Sequence, residues 1–243
     1  MPVTALRPAW ACLRASPSLR SAVRRLAFPA LRDWLPPSKA LLFLAVRPYT
    51  MLSRARLHAL YTLAGVCNRE KIPGAFVECG VWKGGSAAVL AARRGGRNLH
   101  LFDSFAGCPA PSPLDVNHVG RQGEAGEAAA SVRDVLGLLQ ALGLSSDQDQ
   151  TTIYPGWFDE TVPKASREIG RIALLHIDAD WFASTWMCLS RFYPLVAPGG
   201  YVVIDDYGHW AGARKAVDEY REQEGIAELI RWSDGTGVWW RKT

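Results

Sequence analysis

A chain of 243 residues that is 49% hydrophobic and 21% charged can bury one sizeable core, which excludes a disordered or fibrous protein. The net charge of +5 is uneven: residues 1–72 hold 12 of the 28 Lys and Arg against only Asp33 and Glu70. The remainder is net acidic, so no nucleic-acid partner is expected, and five cysteines without C-x-x-C spacing argue for reduced thiols and against zinc.

Residues 1–46 read as a basic extension broken by Pro29, Pro36 and Pro37, followed by one main domain over 47–243. Arg7, Arg14, Arg20, Arg24, Arg25 and Arg32 precede any acid, a pattern faintly like a transit peptide, but no apolar stretch with a cleavage site follows. The longest apolar run, Ala40–Val46, falls far short of the roughly 20 residues that span a bilayer. A cytoplasmic protein without a transmembrane segment is expected, and a homo-oligomer in which the basic arm is a subunit contact.

Leu57, Leu60, Tyr61 and Ala64 at helical spacing predict a helix from about Ser53 to Arg69, ended by Pro73-Gly74. Strand, glycine turn and helix then alternate: AFVECG and a helix near 86–94, LHLFDSF and 127–142, TTIYPG and 158–167, IALLHIDAD and 182–195, YVVIDDYG and 211–224. Apolar strands alternating with helices predict an α/β domain whose parallel sheet is covered on both faces. The tail, IAELIRW and GVWWRK around Asp234-Gly235-Thr236-Gly237, reads as an antiparallel hairpin at the sheet edge.

In such folds ligands sit at the carboxyl ends of the strands, and here those ends are acidic. After the first strand, glycines 80, 84 and 85 allow close backbone approach, but the spacing is not G-x-G-x-x-G. Glu78 would repel a pyrophosphate and welcome a sulfonium, which favours S-adenosylmethionine over NAD. Asp103, ending the second strand, suits the two hydroxyls of a ribose. The fourth and fifth strands end in Asp178-Ala179-Asp180 and Asp205-Asp206. On neighbouring strands about 4.8 Å apart these carboxylates would converge and repel, unless a divalent cation joined them. An all-oxygen set points to Mg2+ or Mn2+ on Asp178, Asp205 and Asp206, with Asp180 orienting the site or competing with Ser184 and Thr185 to cap the next helix. His209 is a candidate base, His176 reads as a core hydrogen-bonding residue, and the Gly- and Pro-containing segment 106–126 reads as a mobile lid. Trp82, Trp157, Phe158 and Trp181 fall at strand ends, where a ring could stack on an adenine or an acceptor.

The motifs FVECGVWKGGSA, LFDSFAGCP, YPGWFDETVP, LLHIDADWFAST and YVVIDDYGHWAGARKAVDEYR together resemble the macrocin O-methyltransferase family, the metal-dependent sugar methyltransferases of antibiotic tailoring. The resemblance runs from RPYTMLS at Arg47 to the C-terminal WWRK. It implies a Rossmann-like class I methyltransferase fold with strand order 3-2-1-4-5-7-6, using S-adenosylmethionine and Mg2+. Carried onto matching positions, it places Glu78, Gly80 and Ser86 in the cofactor turn and Asp103 on the ribose. Ser104, Gly156, Trp157 and Phe158 would lie near the adenosine, and Tyr49, Thr50 and Met51 would close over the cofactor. Asp178, Asp205 and Asp206 match the metal ligands, with Asp178 also matching the general base. Three features depart from the family pattern: Ala179 stands where glycine is common, the arm before Arg47 has no counterpart, and the segment Asp115–Gly126 matches poorly. The expected acceptor is a small molecule or glycoside with vicinal hydroxyls, on a sugar of a natural product or glycolipid. A catechol-like phenol offers the same diol, and the rival classes are a nicotinamide-dependent oxidoreductase and a non-catalytic cofactor-binding scaffold.

Overall fold

The computed structural model describes residues 37–145 and 150–243, in two units that divide after Arg47. The arginine-rich stretch 1–32 lies outside the described residues. The described part of the first unit is helix α1, Pro37–Val46, whose proline occupies the first helical position, where a missing N–H costs no intrahelical bond.

The second unit begins its regular structure with α2, Arg54–Arg69. The Ser53 hydroxyl accepts the Arg56 backbone N–H at 3.2 Å, and of the stripe that spacing predicts Leu57, Leu60 and Ala64 are buried, joined by Leu63 and Cys67, while Tyr61 is half-buried. Strands and helices then alternate: β1 (Ala75–Cys79), α3 (Gly85–Arg93), β2 (Leu99–Asp103), α4 (Val132–Ala141), β3 (Thr151–Pro155), α5 (Phe158–Ala165), β4 (Ile172–Ile177), α6 (Phe182–Phe192), β5 (Val196–Ile204) and α7 (Ala211–Gln223). The chain closes with β6 (Arg231–Trp232) and β7 (Val238–Arg241).

The seven strands form one sheet in the order β3-β2-β1-β4-β5-β7-β6, the order the resemblance implies. β1 to β5 pair in parallel, while β7 runs antiparallel to β5 and to the edge strand β6. β1, β2 and β4 are buried along their whole length, as continuous apolar runs covered on both faces must be. On one face, Phe102 stacks on Tyr154 at 4.3 Å and meets Phe192 at 5.2 Å, within a cluster that also holds Val77, Ile177 and Trp240.

Three boundaries differ from expectation. α4 begins five residues late because Ser131 and Asp134 form a reciprocal capping box, a stronger start signal than the Glu-Ala-Ala-Ala stretch before it. β5 starts at Val196, since Gly199 donates its N–H to the Lys242 carbonyl at 2.7 Å and so carries the ladder through a Pro-Gly-Gly that reads as a break. β6 keeps only Arg231 and Trp232 of the expected IAELIRW strand.

The strand order reverses at β1 and β4, and the crevice at their carboxyl ends is the switch point where α/β folds place ligands. The ladder continues past the strand ends: Gly80 N–H donates to the Phe102 carbonyl at 2.8 Å, Asp178 N–H to Cys79 at 2.8 Å and Asp205 N–H to Ile177 at 2.9 Å. These bonds fix the terminal acids against one another. Gly80 has φ +87°, and a Cβ there would lie 1.7 Å from the Asp178 carbonyl oxygen, so this crossing requires glycine.

Candidate active site

A cavity of about 800 Å³ opens over these strand ends. Of the residues expected from the sequence, Met51, Gly80, Asp103, Ser104, Trp157, Phe158, Asp178, Asp205, Asp206 and His209 line it. Tyr49, Thr50, Glu78, Ser86 and Gly156 are not on its wall. Tyr49 and Thr50 press on the start of α3, where a Cβ on Gly85 would lie 2.6 Å from the Tyr49 carbonyl oxygen. Ser86 is buried in the first turn of α3, and Gly156 bends the chain at φ +136°, donating its N–H to the Asp103 carbonyl at 3.0 Å.

Glu78 faces the core. It stands opposite His176 in the β1–β4 register, and the His176 Nδ1 and Glu78 Oε1 are 2.8 Å apart with both side chains fully buried. The other Glu78 oxygen, Oε2, is buried without a hydrogen-bond partner, two residues before the Gly80 that lines the cavity. His176 makes the core hydrogen bond the sequence predicts. Asp103 does reach the cavity, with its oxygens already organising the turn: Oδ2 accepts the N–H groups of Val81 and Trp82 at 2.7 and 2.8 Å, and Oδ1 accepts that of Phe105 at 2.6 Å.

Asp178, Asp205 and Asp206 each offer a carboxylate oxygen, and these atoms lie within 4.8 Å of one another. Burial, followed by the charges of Asp205 and Asp206, pushes the Asp178 carboxyl well above its ordinary range. Asp206 is raised to about 7 by burial and by Asp205, and Asp205 to about 6 by burial, with the Arg56 guanidinium pulling it back. The Asp206 Oδ2 is buried without a hydrogen-bond partner. An orphaned oxygen inside a crowded all-oxygen carboxylate set is what a hard divalent cation fits.

Asp180 also lines the cavity. Its φ of +54° is left-handed, as are those of Trp82 and Ala128 on the same wall and of Phe105, next in the chain to the lining residue Ser104. Four non-glycine residues held in that region, at about 1 kcal/mol or more each, mark where packing overrides backbone preference. Asp180 does not cap α6, and neither do Ser184 and Thr185: Trp181 precedes the helix without a side-chain cap, and the Phe182 N–H donates instead to Asp115 Oδ1 at 2.8 Å. His209 lines the cavity with its ring 4.8 Å from that of His118, and burial, the His118 charge and the Arg56 charge lower its pKa, so it is neutral at pH 7.

The segment expected to be a mobile lid is anchored. Asp115 is 2% exposed and holds both Phe182 and Ser112, Trp181 Nε1–H donates to the Pro109 carbonyl at 2.9 Å, and Gly123 is so close to the Trp181 ring that a Cβ would lie 2.0 Å from it. Two side chains at the site carried no sequence signal. Arg56, in the first turn of α2, bonds the Asp205 and Asp234 carboxylates, and Asp234 accepts the Ser53 hydroxyl at 2.5 Å. Their partners are far away along the chain, so spacing could not reveal them.

The family model described as macrocin-O-methyltransferase (TylF) matches residues 43–242. The chain is 37% identical over 221 residues, 87% of its length and 78% of the relative's, to the 8-demethyl-8-(2,3-dimethoxy-alpha-L-rhamnosyl)-tetracenomycin-C 4'-O-methyltransferase of Streptomyces olivaceus. It is 35% identical over 208 residues, 80% of its length and 79% of the relative's, to the mycinamicin III 3''-O-methyltransferase of Micromonospora griseorubida. Among solved structures, the O-methyltransferase NovP superposes with a TM-score of 0.70 at 32% identity, over 80% of this chain and 82% of that one. The calicheamicin methyltransferase CalS11 superposes at 0.67 over 99% of both chains, and at 23% identity it speaks to the fold alone.

Proposed function

Because this chain belongs to the macrocin O-methyltransferase family and is an O-methyltransferase, we propose that it uses S-adenosylmethionine and Mg2+ to methylate one hydroxyl of a vicinal diol on a sugar of a natural product or glycolipid. The observation that carries the cation is the carboxylate set of Asp178, Asp205 and Asp206, with its orphaned Asp206 oxygen. Support for a sugar acceptor comes from the relatives, whose names give a rhamnosyl tetracenomycin and mycinamicin III as their substrates.

Asp178, Asp205 and Asp206 would hold the cation. The bound cation supplies Lewis-acid polarisation of an acceptor oxygen, and the cofactor supplies an electrophilic methyl group. Asp103, Ser104, Trp157 and Phe158 line the side of the cavity where a nucleoside fits, with Trp157 38% exposed and available for stacking. Met51, 60% exposed on the same cavity, is positioned to cover that ligand.

The acceptor hydroxyl must lose a proton. Asp178, which the resemblance makes the base, would also be a ligand of the cation. Asp180 lines the same cavity outside the ligand set, and we assign the proton to its carboxylate. His209 supports a second reading, since its ring borders the cavity and is neutral at pH 7. Asp180→Asn and His209→Gln separate them: loss of turnover with cofactor affinity kept points to the base, a fully active Asp180→Asn enzyme returns the role to Asp178 or His209, and a fully active His209→Gln enzyme then leaves it to Asp178.

The acceptor class is tested by incubating purified enzyme, labelled S-adenosylmethionine and Mg2+ with a panel of glycosides and catechols. Methylated glycosides are expected. Label found only in catechols would replace the sugar reading with a phenol one, within the same family.

A further inference from the structure

The carboxylate cluster is not free on its outer side. Asp205 gives one oxygen, Oδ2, to the Arg56 guanidinium, and the same carboxylate belongs to the set with Asp178 and Asp206. Arg56 is itself held at three points: Nη1 donates to Asp205, Nε donates to Asp234 Oδ2 at 3.1 Å, and Nη2 reaches toward the Met51 carbonyl at 3.5 Å. Its side chain is only 17% exposed. Asp234 is fixed in turn, with Oδ1 accepting the N–H groups of Thr236 and Gly237 at 2.8 and 2.9 Å, and Oδ2 the Ser53 hydroxyl. Gly237 makes the room, since a Cβ there would lie 2.7 Å from Arg56 Cδ. The first turn of α2, the β6–β7 turn and one cation ligand thus meet at a single planar fork.

Resting on the cation reading above, we propose that Arg56 is a positioning residue for the metal site: its fork fixes which oxygen of Asp205 faces the cation. A planar guanidinium can serve Asp205 and Asp234 together because its donors are spaced for two carboxylates at once. A lysine ammonium keeps the charge but has no such plane. Hydrogen-bonding partners of metal ligands typically set affinity by about 10- to 100-fold, through orientation of the ligand. Coulomb repulsion alone would give the opposite sign, because removing a positive charge beside a cation site should tighten the cation.

The test is a titration of Mn2+ into the cofactor-free enzyme, followed by its electron paramagnetic resonance signal, for the native chain, Arg56→Lys and Arg56→Met. S-adenosylhomocysteine affinity is measured in parallel by calorimetry. Both variants should bind Mn2+ about 10-fold or more weakly while S-adenosylhomocysteine affinity is kept, since the Asp103 side of the cavity is untouched. Unchanged or tighter Mn2+ binding in Arg56→Met overturns the proposal, as does native-like binding in Arg56→Lys, which would make charge rather than the fork decisive. Equal loss of both ligands also overturns it, by making Arg56 a general fold contact. Should either variant fail to fold, Asp234→Asn, which loosens the fork from outside, must weaken Mn2+ selectively or the proposal falls. No Mn2+ binding by the native chain would reject the cation reading itself, a separate outcome.

Discussion

At the scale of single residues, the proposed cation site is a problem of crowded charge. Asp178 and Asp205 are held by backbone bonds that continue the sheet ladder, and Asp206 follows Asp205 directly, so the backbone keeps the three carboxylates close. Asp205→Asn removes one charge and one strong oxygen donor. Cation affinity is expected to fall at least about 10-fold and methyl transfer with it, while S-adenosylhomocysteine affinity changes little, as calorimetric titration of each ligand would show. Asp234 behaves in the opposite way. Burial alone would raise its carboxyl, but the Ser53 hydroxyl, the Gly237 and Thr236 N–H groups and Arg56 hold it down to about 2. A carboxyl depressed in the folded state stabilises fully above its ordinary value near 4, and that stability is lost as the pH falls toward 2. Because solvent screens this partly exposed site, Asp234→Asn should cost about 1 kcal/mol in urea unfolding at pH 7, with the gap from the native chain narrowing steadily below pH 4.

At the scale of elements, the loop 106–126 and helix α6 form one device. Asp115 is a helix cap supplied from 67 residues away, bonding the Phe182 N–H just after the loop that carries Asp178 and Asp180. Gly212 leaves the space for it, since a Cβ there would lie 2.1 Å from Asp115 Oδ1. Asp115→Ala strands the Phe182 N–H and frees Ser112, which should cost about 1–3 kcal/mol and raise hydrogen exchange in both the loop and the first turn of α6. Exchange raised in the loop alone would show that the cap is not shared. These contacts also mark where sequence reading stops. The acids Asp103, Asp178, Asp205 and Asp206 were legible because each ends an apolar strand, and parallel strands gather their ends at one edge. Arg56, Asp115 and Asp234 were not, because they act through partners 149, 67 and 178 residues distant, and no local period encodes such pairs. The Glu78–His176 pair is of the same kind, since it forms across neighbouring strands and no local spacing announces it.

At the scale of the whole molecule, helix and strand alternation gave the doubly wound sheet, while the order of its strands came from family resemblance and the structure agrees with it. That order puts β1 beside β4 and β4 beside β5, and it is the only reason three acids from two loops share one cavity. Among the described residues no helix is long and apolar enough to cross a membrane. The most direct test is the initial rate of methyl transfer to a glycoside acceptor as free Mg2+ is removed with EDTA and then restored. The account predicts that transfer falls to background on chelation and returns with added Mg2+ in the native enzyme, but not in Asp205→Asn. Transfer undiminished by EDTA would contradict it.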